Sequence, residues 1–525
     1  MLDQIPLECF ANVARFLPQD DKVCLTLVSR SMYDRTVPYL YRRLYLNRRP
    51  HFPSDLDASL GTQEWSVLRI PLVGSQEEKD VEAERAFRLL VRSLRLNVKL
   101  CRYIRSVYCS WHINRDVLAD LVSLLIDNGT ALQFFENYLE LDVMEGLTMI
   151  APRLKSLNLA PPSKLPEQRA TDAYFLTIAR MVSHYNWDTI RSLTLHVNPS
   201  IIFGTVSKPL RISSLTFNLR PDTYLRLSKS VEYPLYALFD VDTLTELRIV
   251  SWYKGGDTNL YKMWRLHDLL RFHNVRSLTW LSLDANNEYM RQCAHNFPKL
   301  EKLQIDFLLD TPLDGTALNA FRAAQCSQTL RYIDVKFEPL DPPLLSVDRD
   351  YQKFLPQLTC RCSDCRETFE QILLRKYFPT QEKLRIESMF DVNARNFIVH
   401  MFKLFPILPH TDFSDSKPAI AYLYYTPEEH AAKVNDLLRY DPSNDRAVTG
   451  QDIMRLYYAH IHSLKKTFDY FSSGFPQLEF LVLNDLPTRI TRTDQQQTVN
   501  MPLFYSKNYK TNQKYLVVND ESLFD

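Results

Sequence analysis

The sequence predicts an α/β chain. A short three-helix module precedes an irregular solenoid of strand–helix repeats, and a largely helical insertion lies near the carboxy terminus. Three observations predict this. Residues 5–45 carry three apolar stretches, the first at clear helical spacing. A phrase of the form apolar-x-x-apolar-x-apolar recurs from residue 104 onward and returns at residue 478. Between 340 and 475 the chain reads mostly helical, as in NARNFIVHMFKLF at 393–405.

Composition narrows the function classes. A chain of 525 residues has room for roughly two to four domains and buries a core large enough to fold without disulfides or metals. A net charge of +1 gives no electrostatic reason to expect nucleic acid or a membrane as partner. The local basic cluster Arg42, Arg43, Arg48 and Arg49 reads as a solvated helix end. The start, MLDQIPLECF, lacks a basic stretch followed by an apolar core, so no secretory signal is expected. No apolar run reaches the ~18 residues of a membrane span. Nine widely spread cysteines suit a reducing compartment, so cytoplasm, nucleus or both are expected. Only ten glycines are present, and the glycine-rich phosphate loops, the hydrolase elbow and H-E-x-x-H are all absent. No catalytic residue is assigned, and no enzyme is expected.

The amino-terminal elements follow in order. Leu7, Phe10, Val13, Phe16 and Leu17 fall on one helix face, with Pro6 suited to the helix start. Pro18 ends that helix, and Asp20–Asp21 can cap the next. DKVCLTLVSRSM supplies a second apolar stretch through Val23, Leu25, Leu27 and Val28. A third segment, VPYLYRRLYL, carries Leu40, Tyr41 and Leu44. So small a core leaves apolar groups such as Ile5, Leu7 and Leu17 poorly covered. The bland alternative is that they pack on the rest of the same chain.

The order of these residues decides between the two. Ile5-Pro6-Leu7-Glu8, Val13, Phe16-Leu17-Pro18, Asp21, Leu27-Val28-Ser29-Arg30 and Leu40-Tyr41-Arg42-Arg43-Leu44 together resemble the F-box motif from end to end. The family pattern runs Leu-Pro-x-Glu, an aliphatic position, an aromatic-Leu pair, Val-Cys-Arg and Leu-Trp-Arg. Ile5, Ser29, Met32 and Tyr41 depart from it while keeping size or polarity. The resemblance implies that Ile5, Pro6, Leu7, Val13, Phe16, Leu17, Leu27, Val28 and Leu40 lie at or beside an interface with a Skp-type adaptor and, through it, a cullin.

The recurring phrase reads Ile104-x-x-Val107-x-Cys109, Leu154-x-x-Leu157-x-Leu159, Ile190-x-x-Leu193-x-Leu195 and Ile212-x-x-Leu215-x-Phe217. It continues as Leu244-x-x-Leu247-x-Ile249, Leu300-x-x-Leu303-x-Ile305, Leu330-x-x-Ile333-x-Val335 and Leu478-x-x-Leu481-x-Leu483. A copy near Val275 has ambiguous register, through Leu278, Leu281 and Leu283. The last two apolar positions alternate as in a strand facing a core. Helix-like segments at 117–128 and 173–185 lie between copies. One strand and one helix per unit is the content of a leucine-rich repeat. Spacings from Leu154 to Leu330 vary from 22 to 36 residues, and the Asn or Cys expected after each strand is missing, so the repeats are irregular. A generic α/β domain is the plainer alternative. The expected organisation is F-box at 1–46, linker and helical cap at 47–100, leucine-rich-like repeats at 101–340, helical insertion at 341–475, terminal repeat strand at 476–493 and polar tail at 494–525. Proline-rich breaks at 160–168 and 338–345 read as loops.

Cys360, Cys362 and Cys365 stand in CRCSDC, and Cys362-x-x-Cys365 is zinc spacing. A tetrahedral structural site needs a fourth ligand, for which His400 or His410 is the candidate. Without a second C-x-x-C the signal is incomplete and favours reduced thiols, so no cofactor is expected beyond a candidate structural zinc. Cys360 also fits the third position of a repeat strand, Leu355-x-x-Leu358-x-Cys360. This cluster and the closing LEFLVLNDLPTR are similar to features of fungal F-box proteins with divergent repeats. That likeness makes the carboxy-terminal region a family feature and assigns it no chemistry. The F-box resemblance, taken with the repeats, implies a substrate-receptor subunit of an SCF-type (Skp, cullin, F-box) ubiquitin ligase with an unidentified protein substrate. The alternative is a non-degradative scaffold or assembly protein on the same adaptor.

Overall fold

The computed structural model describes residues 5–17, 19–46, 66–67, 76–109, 114–128, 131–136, 154–159, 189–195, 208–219, 234–251, 265–282, 287–307, 313–337, 340, 345–346, 357–358, 360–377, 428, 431–432, 435, 440–441, 443–483, 486–492, 498–504 and 516–517. The segments read as helices at 173–185 and 393–405, the break at 160–168 and most of 338–345 lie outside them. The chain mixes helix and strand and divides into two compact units. One comprises Met1–Asp284 with Asn508–Gln513, the other Ala285–Lys507 with Lys514–Asp525. Among the described residues, no helix is long and apolar enough to cross a membrane.

The first unit opens with three helices, α1 (Leu7–Phe16), α2 (Gln19–Val28) and α3 (Arg30–Tyr41). Ser29 caps α3 by accepting from the Met32 N–H at 3.2 Å. The third apolar segment departs from its helical reading. α3 stops at Tyr41, and Leu44 lies in strand β1 (Arg43–Leu46). Leu44 and Leu46 are spaced by two and are both buried, which is strand periodicity. The module therefore enters the sheet with no linker between them.

β1 begins a parallel ladder. It pairs with β2 (Ser66–Val67) on one side and β3 (Ser106–Cys109) on the other. From β3 the order runs through β4 (Phe134–Glu136), β5 (Ser156–Leu159), β6 (Ser192–Leu195), β7 (Ser214–Leu219), β8 (Glu246–Ser251) and β9 (Ser277–Ser282), all parallel. Helices α4 (Gln76–Leu96), α5 (Arg115–Asp127) and α6 (Leu235–Leu238), with two 3-10 segments at Val98–Tyr103 and Leu266–Arg271, supply apolar cover through residues such as Phe87, Leu121, Leu125 and Leu269.

The register follows the recurring phrase. Its first apolar residue lies just before each strand and is buried at Ile104, Leu154, Ile190, Ile212 and Leu244. The second and third point the same way at Leu193 and Leu195, Leu215 and Phe217, and Leu247 and Ile249. The ambiguous copy resolves as Val275-x-x-Leu278-x-Trp280. Leu278 pairs with Leu247 and Trp280 with Ile249, so the third position is an aromatic rather than Leu281 or Leu283. Leu283 lies outside the described residues.

The second unit contains α7 (Asn287–Asn296), β10 (Lys302–Phe307), α8 (Gly315–Ala323), a 3-10 turn at Gln325–Gln328 and β11 (Tyr332–Val335), with β10 and β11 parallel. β12 (Leu345–Ser346) and β13 (Gln357–Leu358) form a separate antiparallel pair. The Leu355–Cys360 phrase thus does not join the parallel ladder. β11 instead pairs directly with β14 (Phe480–Leu483), so the chain between them is an excursion between neighbouring strands.

The described part of that excursion includes α9 (Ser363–Thr368), a π-helical turn at Phe369–Tyr377, α10 (Gly450–Ser463) and α11 (Lys465–Gly474). After β14 the direction reverses. β15 (Leu486–Arg492), β16 (Thr498–Phe504) and β17 (Leu516–Val517) add antiparallel strands. Strands therefore occupy part of the stretch expected as a polar tail. Met501 is buried on β16, whose pairing with β15 satisfies its backbone.

Leu247 and Leu303 are buried in the strand cores, whereas Leu340 is 54% exposed. Leu247→Ala and Leu303→Ala should each cost ~2–5 kcal/mol, and Leu340→Ala no more than ~0.5 kcal/mol. Denaturant midpoints of the three variants would rank them. Equal effects would contradict the register.

Candidate functional site

The amino-terminal module has its own core. Phe10, Ala14 and Met32 are buried together, with Ile5, Leu25 and Tyr39 packed against them. Phe10 meets the Tyr39 ring edge-on at 6.1 Å, and the Arg35 guanidinium lies 5.6 Å from the Phe10 centroid. Arg35 also donates to the Ile5 carbonyl at 2.6 Å, tying the chain entry to α3.

The interface residues implied by the motif separate into classes around this core. Leu7, Val13, Leu27 and Val28 are exposed, at 57%, 41%, 81% and 68%. Pro6 is also exposed, while Ile5, Leu17 and Leu40 are half-buried. Ile5 spends part of its surface inside the module itself. Phe16 lies within α1, but its side chain is outside the described residues. Val23 and Tyr33, which the motif did not single out, are exposed too. Among the described residues, six of the twelve large exposed hydrophobics therefore fall between Leu7 and Tyr33. Scattered exposed leucines are ordinary, whereas these six fall within one short module.

A second constellation lies in the other unit. Ligand atoms of Cys360, Cys362, Cys365 and His462 all lie within 4.8 Å of one another, so the cluster can bind a metal ion. His462 Nδ1 is 4.0 Å from Cys360 Sγ, 3.4 Å from Cys362 Sγ and 3.3 Å from Cys365 Sγ. The Cys365 N–H donates to Cys362 Sγ at 3.3 Å, closing the first turn of α9. Cys365 is buried. Desolvation, then the Cys362 and Cys360 side chains, hold its thiol well above the ordinary range. The histidine that reaches the thiols is thus His462, on α10; His400 and His410 lie outside the described residues. Its neighbour His460 is buried, brought down to about 4 by desolvation, and is not one of the converging ligands.

A helical module with exposed apolar side chains, continuous with a parallel strand–helix ladder, is the class of protein that fold and site define. The curated relatives give the family. The chain is 30% identical to F-box protein YDR131C of Saccharomyces cerevisiae over all of both chains. It is 25% identical to F-box protein DAS1 of the same yeast, over 97% of this chain and 88% of that one. No family model matches the chain. It belongs to the F-box proteins, with fungal members as its relatives.

Positions three apart on α1 should respond oppositely to truncation. Phe10→Ala removes a fully buried ring and should destabilise the module by ~3–5 kcal/mol, seen as lost amide-exchange protection over residues 7–41. Val13→Ala should leave protection unchanged.

Proposed function

We propose that the chain is the substrate-receptor subunit of an SCF-type ubiquitin ligase. The F-box helices would hold a Skp-type adaptor, and through it a cullin, while the strand–helix repeats would hold a protein substrate. The observation that carries this reading is the exposure of Leu7, Val13, Leu27 and Val28 on a module whose own core is filled by Phe10, Ala14 and Met32. Those side chains contribute little to the module's own packing and offer apolar area to a partner. The near-full-length likeness to two proteins named for the F-box supports the same reading.

The mechanism is proximity. Tethering substrate beside a ubiquitin-charged enzyme raises the effective concentration of its lysines, so this chain supplies orientation and no reacting group. The direct passage from α3 into β1 favours that role. A stiff joint limits the volume a bound substrate explores, and effective concentration rises as that volume falls.

Leu7→Asp combined with Leu27→Asp tests the proposal. Both positions are exposed in the free chain, so folding should persist, but docking would bury two unpaired carboxylates at a cost of several kcal/mol. Adaptor co-purification should be lost while the melting temperature is kept. Undiminished co-purification with the double variant would exclude this face as the docking surface. Accumulation of a repeat-bound protein with the Leu7→Asp/Leu27→Asp variant, which keeps β1 and the ladder intact, would indicate degradation. Unchanged abundance of every bound protein would favour the non-degradative scaffold.

A further inference from the structure

We propose that Cys360, Cys362, Cys365 and His462 form a closed structural zinc site that fastens the 360–377 segment to α10. This is independent of the adaptor reading. Zn–S bonds of ~2.3 Å and Zn–N bonds of ~2.0 Å set a tetrahedral edge of about 3.5–3.8 Å. The ligand atoms already lie within 4.8 Å of one another, so seating an ion needs shifts of about 1 Å or less. Three sulfurs and an imidazole are a soft set that selects zinc over magnesium or calcium. All four tetrahedral positions are filled by protein, leaving none for water or substrate, so the site is structural.

The surrounding contacts show that the convergence is built from both sides. Cys360, Cys362 and Cys365 come from one turn, with the Cys365 N–H already donating to the Cys362 sulfur. His462 arrives from α10, 97 residues beyond Cys365. α10 is fixed at its start by a capping box between Thr449 and Asp452. The Asp452 carboxylate also pairs with Lys376, Glu367 pairs with Arg455 and Arg375 with Asp445, so the cysteine segment is held against this part of the chain along its length. At the cysteine end, thiols are weak hydrogen-bonding groups and hold a buried contact poorly by themselves. An ion there supplies the missing anchor and stabilises local order.

The test uses the full-length chain purified under reducing conditions. Elemental analysis should give about one zinc per chain. Cobalt exchanged for zinc should show tetrahedral d–d absorption with thiolate charge transfer. His462→Cys should retain the metal. His462→Ala should bind zinc at least about tenfold more weakly, the least that even an outer hydrogen-bond partner of a ligand costs when removed. Chelating the wild-type chain should expose the 360–377 segment to protease while cleavage within residues 5–46 stays unchanged. That measurement needs no variant to fold. A fully reduced wild-type chain without zinc would overturn the proposal. So would stoichiometric zinc retained by the Cys362→Ser/Cys365→Ser variant, or a Cys362–Cys365 disulfide isolated in place of the metal under these conditions.

Discussion

The amino-terminal unit turns on the peptide carbonyl of Arg42. It accepts from the N–H groups of both Arg105 and Ser106, at 2.9 and 3.1 Å. Those bonds take up a carbonyl left over at the end of α3 and start the parallel ladder in the same step. The pattern then repeats. The carbonyls of Lys155, Arg191, Ser213 and Thr245 each accept two successive N–H groups from the next repeat. Each net bond is worth only ~0.5–1.5 kcal/mol, but every repeat inherits its register from the one before. The helical module is thereby held to the first rung of the ladder that follows it.

The ladder stands without the asparagine usual in such repeats, because other side chains take over the bonding between turns. Thr189 donates to the Leu154 carbonyl at 3.3 Å, Ser213 to Arg191 at 3.0 Å, Thr245 to Ser213 at 3.1 Å and Thr329 to Leu300 at 2.6 Å. Asn274 donates to Asp242 at 2.9 Å. A hydroxyl has a shorter reach than an amide and can sit on either side of the first apolar residue, so it imposes no fixed repeat length. Spacings of 22 to 36 residues then cost the strands nothing, as the extra chain lies between them.

The sequence was most legible where burial fixes residue type. The first apolar position is buried in each copy that joins the ladder, from Ile104 through Leu330 and again at Leu478, so periodicity alone located those strands. β1 escaped notice because Tyr41-x-x-Leu44-x-Leu46 is itself a repeat phrase hidden under the last residues of the F-box motif. β4 escaped because its phrase, Leu132-x-x-Phe135-x-Asn137, ends on a polar residue. The three cysteines announced themselves by spacing, whereas their partner did not. His462 lies about a hundred residues away, and nothing in one sequence says which histidine the fold returns to the thiols. The F-box was legible through residue order, but which members of its face are free had to come from packing. Ile5 and Leu7 are two residues apart, and one lines the module core while the other faces solvent.

Hydrogen–deuterium exchange of the full chain, alone and with a purified Skp-type adaptor, tests the central claim most directly. If the helical module is the docking surface and the ladder is left free for a substrate, adaptor should slow exchange across residues 7–28. Exchange over the strands between 214 and 251 should be unchanged. Adaptor binding that protects the strands and leaves residues 7–28 exchanging as before would contradict the account.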